Sequence, residues 1–157
     1  MHMMGFLDDR AVSVNLQAHQ NKEAVIRELT QLLVSAGAIK DKDVAKLVQT
    51  LLKRESLGST GIGQGVAIPH GKSDCVGKLV AAFGISRQGV DFDSLDGEPV
   101  HLFFLLVAPE DSAGPHLKAL ARISRLLKDK HFRDSLRNAK DEKTVAKIIQ
   151  DEDARRP

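Results

Sequence analysis

The sequence holds a single cysteine, Cys75, and neither tryptophan nor tyrosine. One cysteine excludes an internal disulfide framework and points to a reducing, cytoplasmic setting. With six phenylalanines as the only Phe/Trp/Tyr residues, and no basic stripe interleaved with them, the chain lacks the stacking platforms that bind nucleic acid. Neither sign of charge dominates. Twenty-three Lys and Arg against 21 Asp and Glu leave a formal charge of +2, so no field of one sign argues for nucleic acid. No apolar run approaches the ~20 residues of a membrane span, which argues against membrane insertion. The opening Met1-His2-Met3-Met4 is followed by no long apolar stretch. It is therefore read as no signal peptide; a remnant of expression engineering is one reading of it, which the sequence leaves open.

What is present is enough for one domain. A chain of 157 residues can bury roughly 70% of the surface its unfolded form exposes. Helical and extended signals alternate along it. Val12 and Val14 alternate with polar residues before Leu16, a short strand. Asn21 caps a helix with Val25, Ile26, Leu29, Leu32 and Leu33 on one face, and Gly37 stops it. Asp41 opens a second helix, carrying Val44, Leu47, Val48, Leu51 and Leu52 and ending near Lys53-Arg54. A mobile glycine loop leads to a strand at 66–68, and a further strand is expected at 79–86. The stretch 100–108 is nearly all apolar and reads as a central strand covered on both faces. Gly114-Pro115 starts a helix with Leu117, Leu120, Ala121, Ser124 and Leu127 at helical spacing. A short helix is expected at 132–136, and Asp141 caps a last one with Val145, Ile148 and Ile149. The Lys/Arg-rich stretch from Arg122 to Arg137 reads as a solvated face, with a docking surface for an acidic partner as the alternative, and the charged tail from Asp151 to Pro157 as frayed. The fold class is α/β: one domain over 1–157, its core about 10–150, with a mixed sheet flanked by helices on both faces.

The segment Gly58-Ser59-Thr60-Gly61-Ile62-Gly63-Gln64-Gly65-Val66-Ala67-Ile68-Pro69-His70-Gly71-Lys72 carries the chemistry. Small residues leave amides free to face an anion. His70 stands between a proline that fixes the backbone approach and a glycine that leaves the ring uncrowded and lets the chain turn. Two phosphate-loop readings fail. Val66 occupies the last glycine place of G-x-G-x-x-G, and Gly65 lies one residue too far from Gly71-Lys72-Ser73 for a Walker A loop. A metal reading has ligand types in His70, Cys75, His101 and His116, but no paired short spacing, and no metal or other cofactor is expected.

Phosphohistidine fits the segment better. A neutral imidazole nitrogen is a good nucleophile near pH 7, and phosphoryl transfer asks chiefly for in-line positioning and donors around the equatorial oxygens. Arg54, at the end of the second helix, can supply a positive fork. The Ser59 and Thr60 hydroxyls can donate to phosphate oxygens. His116 lies in the first turn of its helix, whose positive end disfavours the charged ring and favours an anion. His101 reads as a strand residue that pairs locally, and Cys75 as inert.

The same residues resemble a known family. Gly58 to Lys72 is similar to the active-site segment of the IIA components of the bacterial phosphoenolpyruvate-dependent sugar phosphotransferase system, of the mannitol/fructose type, with its nearest likeness in the nitrogen-regulatory branch. The resemblance continues through Arg54-Glu55, Gly89-Val90-Asp91-Phe92, Leu105-Leu106-Val107 and His116-Leu117-x-x-Leu120. It implies that His70 is phosphorylated on Nε2 by an HPr-type phosphocarrier, with Arg54 and His116 beside it. It also implies onward partners: regulatory target proteins, or a IIB component whose acceptor cysteine is on another chain, since Cys75 lies too close to His70 in sequence. A regulatory relay is the leading expectation. A sugar-specific IIA and a non-catalytic binding module are the alternatives.

Overall fold

The computed structural model describes residues 2–156; Met1 and Pro157, the two ends of the expected domain, lie outside the described residues. Six strands form one mixed sheet, with five α-helices packed on its two faces. The strands are β1 (Leu7–Ser13), β2 (Gly61–Gly63), β3 (Val66–Ala67), β4 (His70–Lys72), β5 (Val80–Val90) and β6 (Val100–Ala108). The helices are α1 (Lys22–Ser35), α2 (Val44–Ser56), α3 (Ala113–Leu126), α4 (Lys130–Arg137) and α5 (Glu142–Arg155).

The central strand β6 is buried along nearly its whole length. It pairs antiparallel with β5, which pairs in parallel with β1 on the far side. On its other edge β6 carries β3 and then β4, both parallel and in unchanged register: Val66 faces Leu102, and His70 faces Leu106. These two short strands are one line interrupted at Ile68-Pro69. Alternation along it assigns the faces. Ala67, with Phe103 and Leu105 of β6, packs in the cluster under α1 and α2. Val66 and Ile68, with Leu102, Phe104 and Leu106, pack in the cluster under α3, α4 and α5. Each fully buried Leu, Ile or Phe in these layers contributes roughly 1.5–3 kcal/mol, and rings such as Phe83 and Phe104, 4.7 Å apart, add a tilted aromatic contact.

Local signals fix the helix ends. The Asn21 side chain accepts from the Ala24 N–H at 2.8 Å, and Asp141 does the same for Thr144 at 2.7 Å. Gly37, at φ +74°, ends α1 in the left-handed conformation; the amides of Gly37 and Ala38 return to the carbonyls of Val34 and Leu33. Pro115 sits third in α3, where a missing N–H costs no helical bond.

Several expectations change. Asp41 starts a 3-10 turn, Asp41–Asp43, and the α-helix itself begins at Val44. The first strand lies earlier than its valines suggested, and β5 runs on to Val90. The glycine loop is not free chain. Gln64 and Gly65, at φ +59° and +76°, turn β2 back onto β3 as a two-residue hairpin. Gly71 makes no turn; it continues β4. The tail is not frayed through Arg155: α5 continues there, with Glu152 and Asp153 buried. Asp153 accepts from Arg122 Nε at 3.0 Å and Nη2 at 2.7 Å, and also from the Met3 amide. Arg122 is thus no part of a solvated face, and Met3 is fully buried in the core. One buried ion pair joins the start of the chain, α3 and α5.

Candidate functional site

Residues from three elements meet around His70. β4 brings the ring to the C-terminal end of β6, opposite Leu106. The even-numbered side chains of this line face the α3 layer, so His70 turns towards the first turns of α3 and towards His116. The rings of His70 and His116 stand edge to face, with centroids 5.6 Å apart and planes at 67°. A shallow hollow of about 320 Å³ opens here. Its walls are the two histidines, Gly71 and Lys72 from β4, and Thr50, Lys53, Arg54 and Leu57 from α2 and its end. No carboxylate lines it.

One hydrogen bond sets the chemistry of His70. Nδ1 lies 2.7 Å from the Ile68 carbonyl oxygen. A carbonyl can only accept, so in the neutral ring the proton is on Nδ1 and Nε2 carries the free lone pair. Burial, and then the Arg54 charge, push the His70 pKa below its ordinary 6.5, against the opposing pull of the Ile68 carbonyl and Glu55. Burial also holds His116 below 6.5, followed by the charges of His70 and Lys72. His116 Nε2 is buried and has no hydrogen-bond partner. Near pH 7 both rings are therefore less protonated than an ordinary histidine. Such a pair offers one nucleophilic nitrogen and, beside it, a polar nitrogen awaiting a partner.

Arg54 takes the expected place. It lies in the last turn of α2, lines the hollow, and donates from Nη1 to the Gly58 carbonyl at 2.8 Å. Ser59 and Thr60 do not. The Ser59 hydroxyl donates to the Phe92 carbonyl and accepts from the Gly61 amide. Thr60 is buried, and its hydroxyl donates to Glu55 Oε2 at 2.6 Å while its amide donates to Oε1 at 2.9 Å. Neither residue lines the hollow. The expected phosphate donors are ties that hold the segment after α2 to the body of the protein.

Buried Glu55, the centre of those ties, escaped the residue-by-residue reading. Lys22 reaches it at 3.1 Å, pairs with Asp93 at the same distance, and lies 5.2 Å from the centre of the Phe92 ring. Gly61 passes so close to Ser94 that an added Cβ would stand 2.3 Å from its Oγ, so any larger residue here would force Ser94 to move. Lys53, Lys72 and Thr50 also line the hollow without having been singled out. Alternation could have found Lys72, two residues beyond His70.

Of the metal candidates only His70 and His116 come together. Among the described residues no group of three His, Cys, Asp or Glu side chains comes together. His101 is at the other end of β6, its Nδ1 donating to the Ser86 carbonyl at 2.8 Å, the local pairing expected of it. Cys75 receives the Ser73 hydroxyl at 3.0 Å. No helix among the described residues is long and apolar enough to cross a membrane.

Comparison with known proteins bears on the same region. Residues 5–152 match the family described as phosphoenolpyruvate-dependent sugar phosphotransferase system, EIIA 2. The nitrogen regulatory protein of Bradyrhizobium diazoefficiens is 39% identical over 139 residues, covering 88% of this chain and 88% of its own length. The fructose-specific EIIABC component of Bacillus subtilis is 40% identical over 153 residues; the match takes in 98% of this chain but spans only 24% of that protein. Among solved structures, the nitrogen regulatory protein IIA-Ntr of Neisseria meningitidis superposes with a TM-score of 0.83 at 34% identity, over 92% of this chain and 97% of that one.

Proposed function

The chain belongs to the EIIA 2 family of the phosphoenolpyruvate-dependent sugar phosphotransferase system, and from that membership we propose that His70 is its phosphoryl-carrying residue, loaded on Nε2 by an HPr-type phosphocarrier in the cytoplasm. The observation that carries the proposal is the Nδ1 bond to the Ile68 carbonyl. It fixes which nitrogen is nucleophilic before any partner arrives, so none of the binding energy goes into selecting a tautomer.

In the transfer, the Nε2 lone pair attacks phosphorus in line with the donor's N–P bond. That bond breaks with its electron pair remaining on the donor nitrogen. The Nδ1 proton stays on His70, against Ile68, and the Ile68 carbonyl dipole stabilises the positive ring that results. Arg54 faces the equatorial oxygens, and His116 Nε2, protonated there in the appropriate neutral tautomer, donates to one of them. Leu57, on the wall of the hollow and 81% exposed, supplies apolar contact a docking protein needs.

We assign the relay a mainly regulatory output, in which the charge on His70 selects the proteins that bind this face. End-to-end similarity to the Bradyrhizobium and Neisseria nitrogen regulatory proteins supports this. The 40% identity to the Bacillus fructose-specific component favours a second reading, a sugar-specific IIA that hands phosphate to a IIB cysteine. Incubation with phosphoenolpyruvate, enzyme I and HPr, followed by intact-mass measurement, tests the shared core of both. One acid-labile phosphate, absent in His70→Ala, is expected; no phosphate with active upstream proteins leaves only a binding module. Addition of fructose- or mannitol-type IIB domains then separates the two: the regulatory reading predicts slow or absent loss of phosphate to them.

A further inference from the structure

We propose that Lys72 is a phosphoryl-binding residue of this site, a cation that contacts the phosphoryl oxygens once the group is on His70. The proposal rests on the reading of His70 as phosphoryl acceptor and adds to it a residue whose charge balances the transferred group.

Placement comes first. Lys72 follows His70 by two residues in one strand, so both side chains leave the same face of the sheet, towards α3. Both line the hollow, together with His116. Lys72 stands opposite Ala108, the last residue of β6, where the chain departs for α3. Its charge acts on the His116 ring, after burial and His70 in importance, so the ammonium group is within electrostatic reach of the second histidine.

Charge comes second. A phosphoryl group carries about −1.5 to −2 near pH 7. In its neutral form His116 offers only a dipole, while Arg54 has one nitrogen committed to the Gly58 carbonyl. Four other lysines are held by carboxylates, Lys22 by Glu55, Lys46 by Asp74, Lys130 by Asp134 and Lys147 by Asp151. Being unpaired does not single Lys72 out; its place beside His70 does. Among the described residues no carboxylate pairs with Lys72, and none lines its hollow. Lys53 shares the hollow, but from α2; Lys72 shares a strand and a face with the phosphorylated ring itself.

The role has a thermodynamic signature. The equilibrium constant for phosphate passing from the donor protein to this chain depends only on the four free proteins. A cation that merely docks the donor changes the rates of transfer in both directions equally and leaves that constant alone. A cation that contacts the bound phosphoryl group raises it, because the contact exists only in the phosphorylated form.

The experiment measures that constant with phosphorylated HPr and full-length protein, by mass spectrometry at equilibrium, for wild type, Lys72→Gln and Lys72→Arg, after matching thermal melts confirm that each is folded. Lys72→Gln is expected to lower it by about tenfold, in proportion to one screened charge contact, and Lys72→Arg to restore most of it. A Lys72→Gln constant equal to that of wild type overturns the proposal, whatever happens to the rate. Absence of phosphate on wild type overturns the His70 reading and this proposal with it; phosphate on wild type with the constant unchanged overturns Lys72 alone.

Discussion

The rings of His70 and His116 meet edge to face, 5.6 Å between centroids, with the Nε2 of His116 buried and unpartnered. One ring has its proton pinned on Nδ1 by a carbonyl; the other keeps a polar nitrogen in reserve. Burial lowers the basicity of both, so near pH 7 the pair carries less positive charge than two ordinary histidines would. The cations of the site are Arg54, Lys53 and Lys72.

This has a consequence for stability. Both rings titrate below their ordinary 6.5 in the folded protein. Just below pH 6.5 the unfolded chain therefore binds more protons than the folded one. Stability then rises with pH up to about 6.5 and levels off above it, as far as these rings are concerned. Between pH 5 and 6.5 the melting temperature of wild type is expected to climb more steeply than that of a His70→Asn, His116→Asn double variant. Equal slopes in a thermal-melt series would contradict the depressed values.

Arg54→Ala is expected to slow phosphorylation of His70 by roughly tenfold or more, the loss of a charge-assisted contact to the transferring group. Stability should fall by about 1 kcal/mol or less, since the hydrogen bond to Gly58 is exposed. Arg54→Lys keeps the charge but loses the fork and should fall between the two. Single-turnover phosphorylation by phosphorylated HPr measures the effect; wild-type rates for Arg54→Ala would remove this residue from the site.

Thr60→Val separates a tie from a phosphate donor. It removes a buried donor from Glu55 and should cost about 1–3 kcal/mol of unfolding free energy, read from urea denaturation. The phosphorylation rate of the folded variant should stay within about threefold of wild type, because a bystander hydroxyl makes no contact in the transition state. Full stability with a tenfold slower rate would restore Thr60 to the phosphate site.

Arg122→Ala leaves Asp153 buried without its cation and should cost about 3–5 kcal/mol. Arg156→Ala, which breaks pairs made by a much more exposed side chain, should cost about 1 kcal/mol or less. Urea denaturation of both variants gives the comparison, and similar losses would refute the view that one buried pair locks α5 to α3.

Much of this arrangement is legible in local sequence. Asn21 and Asp141 announce their helices through hydrogen bonds made within three residues, and the apolar run of β6 announces a strand buried on both faces. The setting of His70 is equally local. What stayed hidden depends on distant partners. Arg122 and Asp153 are 31 residues apart, so nothing in the charged tail reveals that it is buried. The β2–β3 hairpin turns on Gln64-Gly65 rather than the usual Asn-Gly, and the segment reads as free loop. Ser59 and Thr60 look like phosphate donors until Phe92 and Glu55 are seen to hold their hydroxyls. Lys72 was within reach of the two-residue period, but only once His70 to Lys72 is recognised as a strand.

The measurement that bears most directly on the account is the position of the phosphate. Wild-type protein with ring-labelled histidines, phosphorylated through phosphoenolpyruvate, enzyme I and HPr, should show one phosphohistidine by nitrogen and phosphorus NMR. The group should be on Nε2 of His70, with Nδ1 still protonated against the Ile68 carbonyl. Phosphate on Nδ1, on another histidine, or nowhere at all would contradict it.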